Sequence, residues 1–131
     1  MSTLKLKPEI KELWCAALES GEYQQSRGSL YSAQGFCCLG VLGNLAVKAG
    51  VAEWKTVREN IPKPLVTNSG ASLGHILPEV LEWACILKEY DKYDGAFFLP
   101  DSHPRPYLTL AEANDQGLSF TEIAKLIRKH F

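Results

Sequence analysis

Cys37 and Cys38 stand side by side where a polar stretch gives way to an apolar run, and they are the residues here best suited to nucleophilic attack. The reactive form of cysteine is the thiolate. Amides at a helix N-terminus stabilise that anion and lower the thiol pKa. A nucleophile also needs a base, usually a histidine held by a third group. The sequence offers His75 and His103 as bases, with Asp101 or Asn114 as the orienting residue. One reading is therefore a cysteine-dependent hydrolase using Cys37 or Cys38 with His75 or His103. The reading we weigh above it packs both thiols as small hydrophobes inside an apolar helix.

Metal chemistry has less support. The sequence has no Cys-x-x-Cys pair and its histidines are scattered, while neighbours on a helix point about 100° apart. No metal and no cofactor is expected. A second polar group is formed by Gln25, Arg27, Asn114 and Asp115, beside aromatic or glycine-rich turns. These residues could line a site for a small anionic or nucleotide-like ligand, with Arg27 as the phosphate fork. In the plainer alternative, Asn114 and Asp115 end a helix while Gln25 and Arg27 face solvent.

The elements that must position these groups are mostly helical. Proline at position 8 suits a first helical turn, Ile10, Leu13, Trp14, Ala17 and Leu18 recur on one face, and Gly21 ends the helix, which is expected over 8–20. Residues 22–36 lack a helical stripe, and a turn at 32–35 suggests a short strand or hairpin. The run 37–49 is apolar nearly all round and reads as the central helix. Gly40 and Gly43 each cost it roughly 1 kcal/mol of propensity, so another element should approach closely there. Val51, Trp54, Val57 and Ile61 could line a short helix or a strand-like excursion before Pro62 and Pro64, and 67–70 is a turn. A third helix is expected over 78–88, a turn over 90–95, a short strand over 96–99 and irregular chain over 100–106.

The last quarter is the most explicit. Thr109 with Glu112, and Ser119 with Glu122, have capping-box spacing, and Leu118 with Ile123 has that of a hydrophobic staple. They predict helices over 110–115 and 120–130. The fold class is thus α+β and mostly helical: about five helices around a central apolar helix, with a small antiparallel sheet, in a single domain over 1–131.

Bulk properties restrict partners. The chain has 131 residues, 46% of them apolar and 22% charged, with a formal net charge of −1. That is a size and composition able to bury a core without staples. Near-neutral charge gives no general attraction to nucleic acid or anionic membrane. No apolar stretch is long enough to span a bilayer and no secretory signal is visible, so a cytoplasmic location is expected. The four cysteines, all in apolar runs, are expected to be reduced.

Three resemblances bear on function. The placement of a cysteine after Gly35-Phe36 at a helix start resembles the nucleophile position of papain-like and cell-wall-peptidase hydrolases, which supports the hydrolase alternative. Residues 117–124 resemble the opening of a bacterial helix-turn-helix. No recognition helix follows within the sequence, however, so direct DNA reading is not expected. The third covers most of the chain. Leu13-Trp14, Ala17-Leu18, Ser20-Gly21, Tyr23 and Gln25, then the run Phe36 to Leu42, then Leu77-Pro78, Val80 and Trp83 belong to it, followed by Asn114-Asp115, Gly117, Ser119-Phe120, Ile123-Ala124 and Ile127. Together they are similar to a recurring type of small accessory protein in tailed-phage and prophage genomes. That resemblance implies a setting inside a bacterial host cell. By analogy it also implies a non-enzymatic role: binding a host protein or a small nucleotide-like ligand, with a possible anti-defence purpose.

Overall fold

A computed structural model of the protein describes residues 5–56, 62–86, 97, 99 and 109–131. Among the described residues five helices are formed: α1 (Pro8–Glu19), α2 (Cys38–Lys48), α3 (Pro78–Ala84), α4 (Leu110–Asp115) and α5 (Phe120–His130). Among the described residues the strands are short: β1 (Lys5–Leu6), β2 (Tyr31–Ser32), β3 (Gly35–Phe36), β4 (Glu53–Trp54), β5 (Leu65–Thr67), β6 (Gly70–Ser72) and β7 (Cys85–Ile86). The fold is α+β, and the strands of the described residues are divided among three small antiparallel sheets, β1–β7, β2–β3 and β4–β5–β6.

Local chemistry explains most of the boundaries. Proline opens α1 and α3 where its missing N–H costs nothing, and Gly21 follows α1 at φ +79°. Ser119 and Glu122 form a complete capping box on α5, and the Thr109 hydroxyl accepts the Glu112 N–H at the start of α4. Arg128, Lys129 and His130 fill the last turn of α5, where cations suit the helix dipole.

One sequence expectation needs correction. The third helix stops at Ala84, not 88, because Cys85 turns to extended backbone (φ −123°, ψ 156°) and pairs with Leu6 as Ile86 pairs with Lys5. A tertiary strand pair there overrides helix propensity. Of the two alternatives at Trp54 the strand is the one formed, and the expected turn at 67–70 joins a hairpin whose two strands local patterning did not reveal. The turn over 90–95 and the irregular chain over 100–106 lie outside the described residues, as does the strand over 96–99 apart from Phe97 and Leu99.

Helix α2 is the centre. It touches α1, α3, α4, β3 and β4, and its residues 38–43 are all buried. Both glycines mark close approaches, as their propensity cost suggested. A Cβ on Gly40 would overlap the Leu30 carbonyl, and one on Gly43 would sit 3.1 Å from a Leu65 methyl. Trp14 of α1 is fully buried against this helix and donates its indole N–H to the Cys38 carbonyl at 3.0 Å. On its other side Trp14 meets Phe97 edge-on, and Phe97 meets Phe131 the same way. Helices α1 and α5 pack side by side, and at their exposed rim Arg128 grips Glu19 with two 2.6 Å hydrogen bonds. No helix among the described residues is long and apolar enough to cross a membrane.

Candidate functional site

Among the described residues the cysteine thiols are the side chains best suited to act as a strong nucleophile. Cys37 is the N-cap of α2, and its sulfur accepts the Gly40 N–H at 3.4 Å. Cys38 begins the helix, fully buried, and donates to the Leu110 carbonyl at 3.5 Å. Burial pushes the Cys37 thiol up to about 11, against a smaller lowering by the Gly40 and Leu39 amides. Burial also raises Cys38 well above the usual thiol range, with Cys37 adding to it. Desolvation thus outweighs the helix N-terminus, and both residues stay protonated at neutral pH.

The base is not delivered to them either. His75 is held by Ser72, with Nδ1 2.9 Å from its Oγ, and no Cys–His hydrogen bond exists among the described residues. His103 and Asp101 lie outside the described residues, and Asn114 turns to other partners. All four cysteines are buried thiols. A disulfide-exchange reagent at neutral pH should therefore label the native protein slowly and titrate four thiols at once in denaturant. Rapid native labelling of one thiol would restore the hydrolase reading.

The second predicted cluster is assembled, but as an internal knot. Asn114 is fully buried. Its Oδ1 accepts the Cys38 N–H at 3.2 Å and the Gln25 side-chain amide at 2.9 Å, and its Nδ2 donates to the Ser26 carbonyl at 2.8 Å. Gln25 also donates to the Leu118 carbonyl at 2.7 Å, and Asp115 accepts the Gly28 N–H at 3.0 Å. These bonds tie the 25–28 loop to α4 and to the start of α2. Gln25 is half-buried, while Arg27 is exposed and lies beside Gly117. The knot is bonded to the chain itself, and Asp115 beside the loop opposes an anion near Arg27. The Ser26 hydroxyl is buried there with no partner among the described residues.

A different feature has the form of a binding site. A cleft of about 520 Å³ is lined by Pro62, Pro64 and residues 71–75. Its size falls in the ligand-pocket range. It lies along β6, the terminal strand of its sheet, and Leu73 is 48% exposed beside it. Backbone bonds to one dipeptide brace both sides: the Leu30 N–H binds the Leu73 carbonyl at 2.8 Å, and the Lys63 N–H binds the Tyr31 carbonyl at 3.0 Å. The Lys63 ammonium also lies 5.0 Å over the Tyr31 ring. Tyr31 in turn stacks on Phe36 at 4.2 Å and meets Trp54 edge-on. Asn44 locks that aromatic group by donating to the Tyr23 hydroxyl and accepting from the Trp54 indole.

A second, polar cleft of about 390 Å³ lies between 50–53 and 66–68, with Glu79 at its side. Glu79 accepts hydroxyl bonds from Thr67 (2.6 Å) and Ser69 (2.7 Å), which hold its carboxyl below the usual range. A depressed folded pKa adds stability above the unfolded value and loses it as pH falls through the folded one. Glu79→Gln should accordingly flatten the fall of Tm below about pH 4.5 and leave the slope near neutrality unchanged.

Sequence reasoning missed the apolar cleft. The available signals were the Pro-x-Pro at 62–64 and the Ser-x-x-His at 72–75, neither of which discloses that the two segments meet.

These features define a helical α+β domain with sequestered thiols and an apolar cleft beside a sheet edge. The chain belongs to the family described as Domain of unknown function (DUF8296), whose family model matches residues 6–131. No curated protein and no solved structure matches it.

Proposed function

We propose that this domain is a non-enzymatic binding module that captures a partner protein in the cleft lined by Pro62, Pro64 and residues 71–75. The observation carrying this reading is an apolar cleft at a sheet edge with Leu73 exposed beside it. An isolated exposed leucine needs no explanation, but one at the mouth of a cleft beside the edge strand of a sheet is a typical anchor for an extended segment. The sunken thiols favour binding over hydrolysis, because a protonated, buried sulfur cannot attack. Between the two ligand classes considered from sequence, a protein is favoured over a nucleotide: the described lining of the cleft carries no Lys or Arg, and the Asn114 knot is bonded internally. The resemblance to phage accessory proteins supplies the setting, a host protein in a bacterial cytoplasm, with an anti-defence role as the reason to bind it.

Affinity capture from bacterial host cells, followed by native mass spectrometry, tests this. The wild-type chain should retain a defined protein in fixed ratio. Leu73→Asp, a surface change expected to leave Tm within a few degrees, should release it. Retention by both chains would place binding elsewhere, and a co-purifying nucleotide would favour the other ligand class.

A further inference from the structure

Resting on that binding reading, we infer that the cleft recognises a main-chain carbonyl on an extended apolar peptide segment, through a His75 Nε2–H donor that Ser72 fixes in place. The argument is a count of lone pairs and hydrogens. A serine hydroxyl has one hydrogen and two acceptor lone pairs. The Ser72 oxygen accepts the His75 N–H at 3.0 Å and the Gly74 N–H at 3.3 Å, which occupies both lone pairs. Its third contact, 2.9 Å to His75 Nδ1, must then be the hydroxyl donating to the ring. Nδ1 is thereby an acceptor, and the proton of the neutral imidazole sits on Nε2. Ser72 is 5% exposed, so water does not compete for this arrangement. His75 is exposed and lines the cleft, and its Nε2 has no partner among the described residues.

The occupant follows from what surrounds that donor. Pro62, Pro64, Ala71 and Leu73 provide apolar contact, and the prolines have no N–H to offer. One neutral donor in such a lining suits an uncharged acceptor. It gives a cation no counter-charge and a phosphate no fork. An extended peptide carries an apolar side chain next to a carbonyl, and β6 runs along the cleft as a strand paired on one side only among the described residues. Charge neutrality and strand geometry together select a peptide over a small ion.

Nitrogen-15 NMR of the histidine rings in the unliganded wild-type chain is the first test. His75 should show an acceptor-type Nδ1 and a protonated Nε2, and the opposite or an averaged tautomer overturns the inference. The second is titration with N-acetyl-leucine-N-methylamide, and with 4-methylpentylammonium as a probe lacking the carbonyl. The amide should shift the His75 ring and the Leu73 methyls together and bind at least about 5-fold more tightly. Ser72→Ala should erase that preference. Because this change could also loosen the turn, His75→Gln, which keeps a donor, should preserve the preference where His75→Leu loses it. If both probes shift Leu73 equally and the His75 ring is unmoved, the cleft binds without reading a carbonyl. If neither probe shifts Leu73 at tens of millimolar, the cleft is not the binding site at all.

Discussion

Asn114→Ala is expected to cost about 3–5 kcal/mol and lower Tm by more than 10 °C, roughly. The substitution removes three hydrogen bonds at once, those to the Cys38 N–H, the Ser26 carbonyl and the Gln25 amide. The side chain is fully buried, so water cannot replace them without opening the knot. Gln25 keeps its bond to Leu118, so two buried groups, the Cys38 N–H and the Ser26 carbonyl, lose their partner at about 1–3 kcal/mol each, which brackets the range. Asn114→Asp separates bonding from volume. It keeps the acceptor for Cys38 and Gln25 but sets a carboxylate oxygen against the Ser26 carbonyl. Burial should raise the new carboxyl's folded pKa above its unfolded value, so the variant should recover stability as pH falls and lose it as pH rises. Urea unfolding at several pH values measures this. An Asn114→Asp variant as stable as wild type at neutral pH would mean the knot is open to water.

Gly40→Ala is the second large effect. Alanine would gain roughly 1 kcal/mol of helix propensity. That gain is outweighed because the new methyl overlaps the Leu30 carbonyl, which is backbone and cannot rotate aside. A net loss of about 3 kcal/mol is expected. Gly43→Ala is the control on the same helix. Its methyl would meet side chains instead of backbone, the end of Leu65 at 3.1 Å and the Trp54 ring at 3.4 Å, so its cost should stay within about 1 kcal/mol of zero. Equal stability of the two variants, read by thermal unfolding, would remove the claim that Leu30 presses on α2.

The contrast between these glycines shows what was legible in the residues. Each glycine carried a propensity cost that called for a neighbour, but nothing local said that one neighbour was a backbone and the other a side chain. Helix ends were legible because their causes lie within a few residues: Pro8, Gly21, and the Ser119–Glu122 box. The stop at Ala84 was not, since its cause is Leu6, far away in sequence. Strands β5 and β6 were hidden because three-residue strands show almost no alternation. At the candidate sites, polarity alone singled out Gln25, Asn114 and Asp115, but it could not show that Asn114 is buried or that all three bond to the chain itself. The cleft escaped notice because its two segments are joined by the β5–β6 pairing, which local patterning hid, and braced by long-range bonds to Leu30 and Tyr31.

The Leu30 peptide group has a consequence for how this family can vary. Its carbonyl receives the Cys37 N–H and rests on Gly40, while its own N–H holds the Leu73 carbonyl. Backbone atoms, which no substitution alters chemically, therefore join the interior to the cleft. Side chains around the cleft can change while the peptide group on which they are mounted stays put. The same design confines tolerance to one side: change at the mouth is cheap, and change beneath residue 30 unseats interior and surface together.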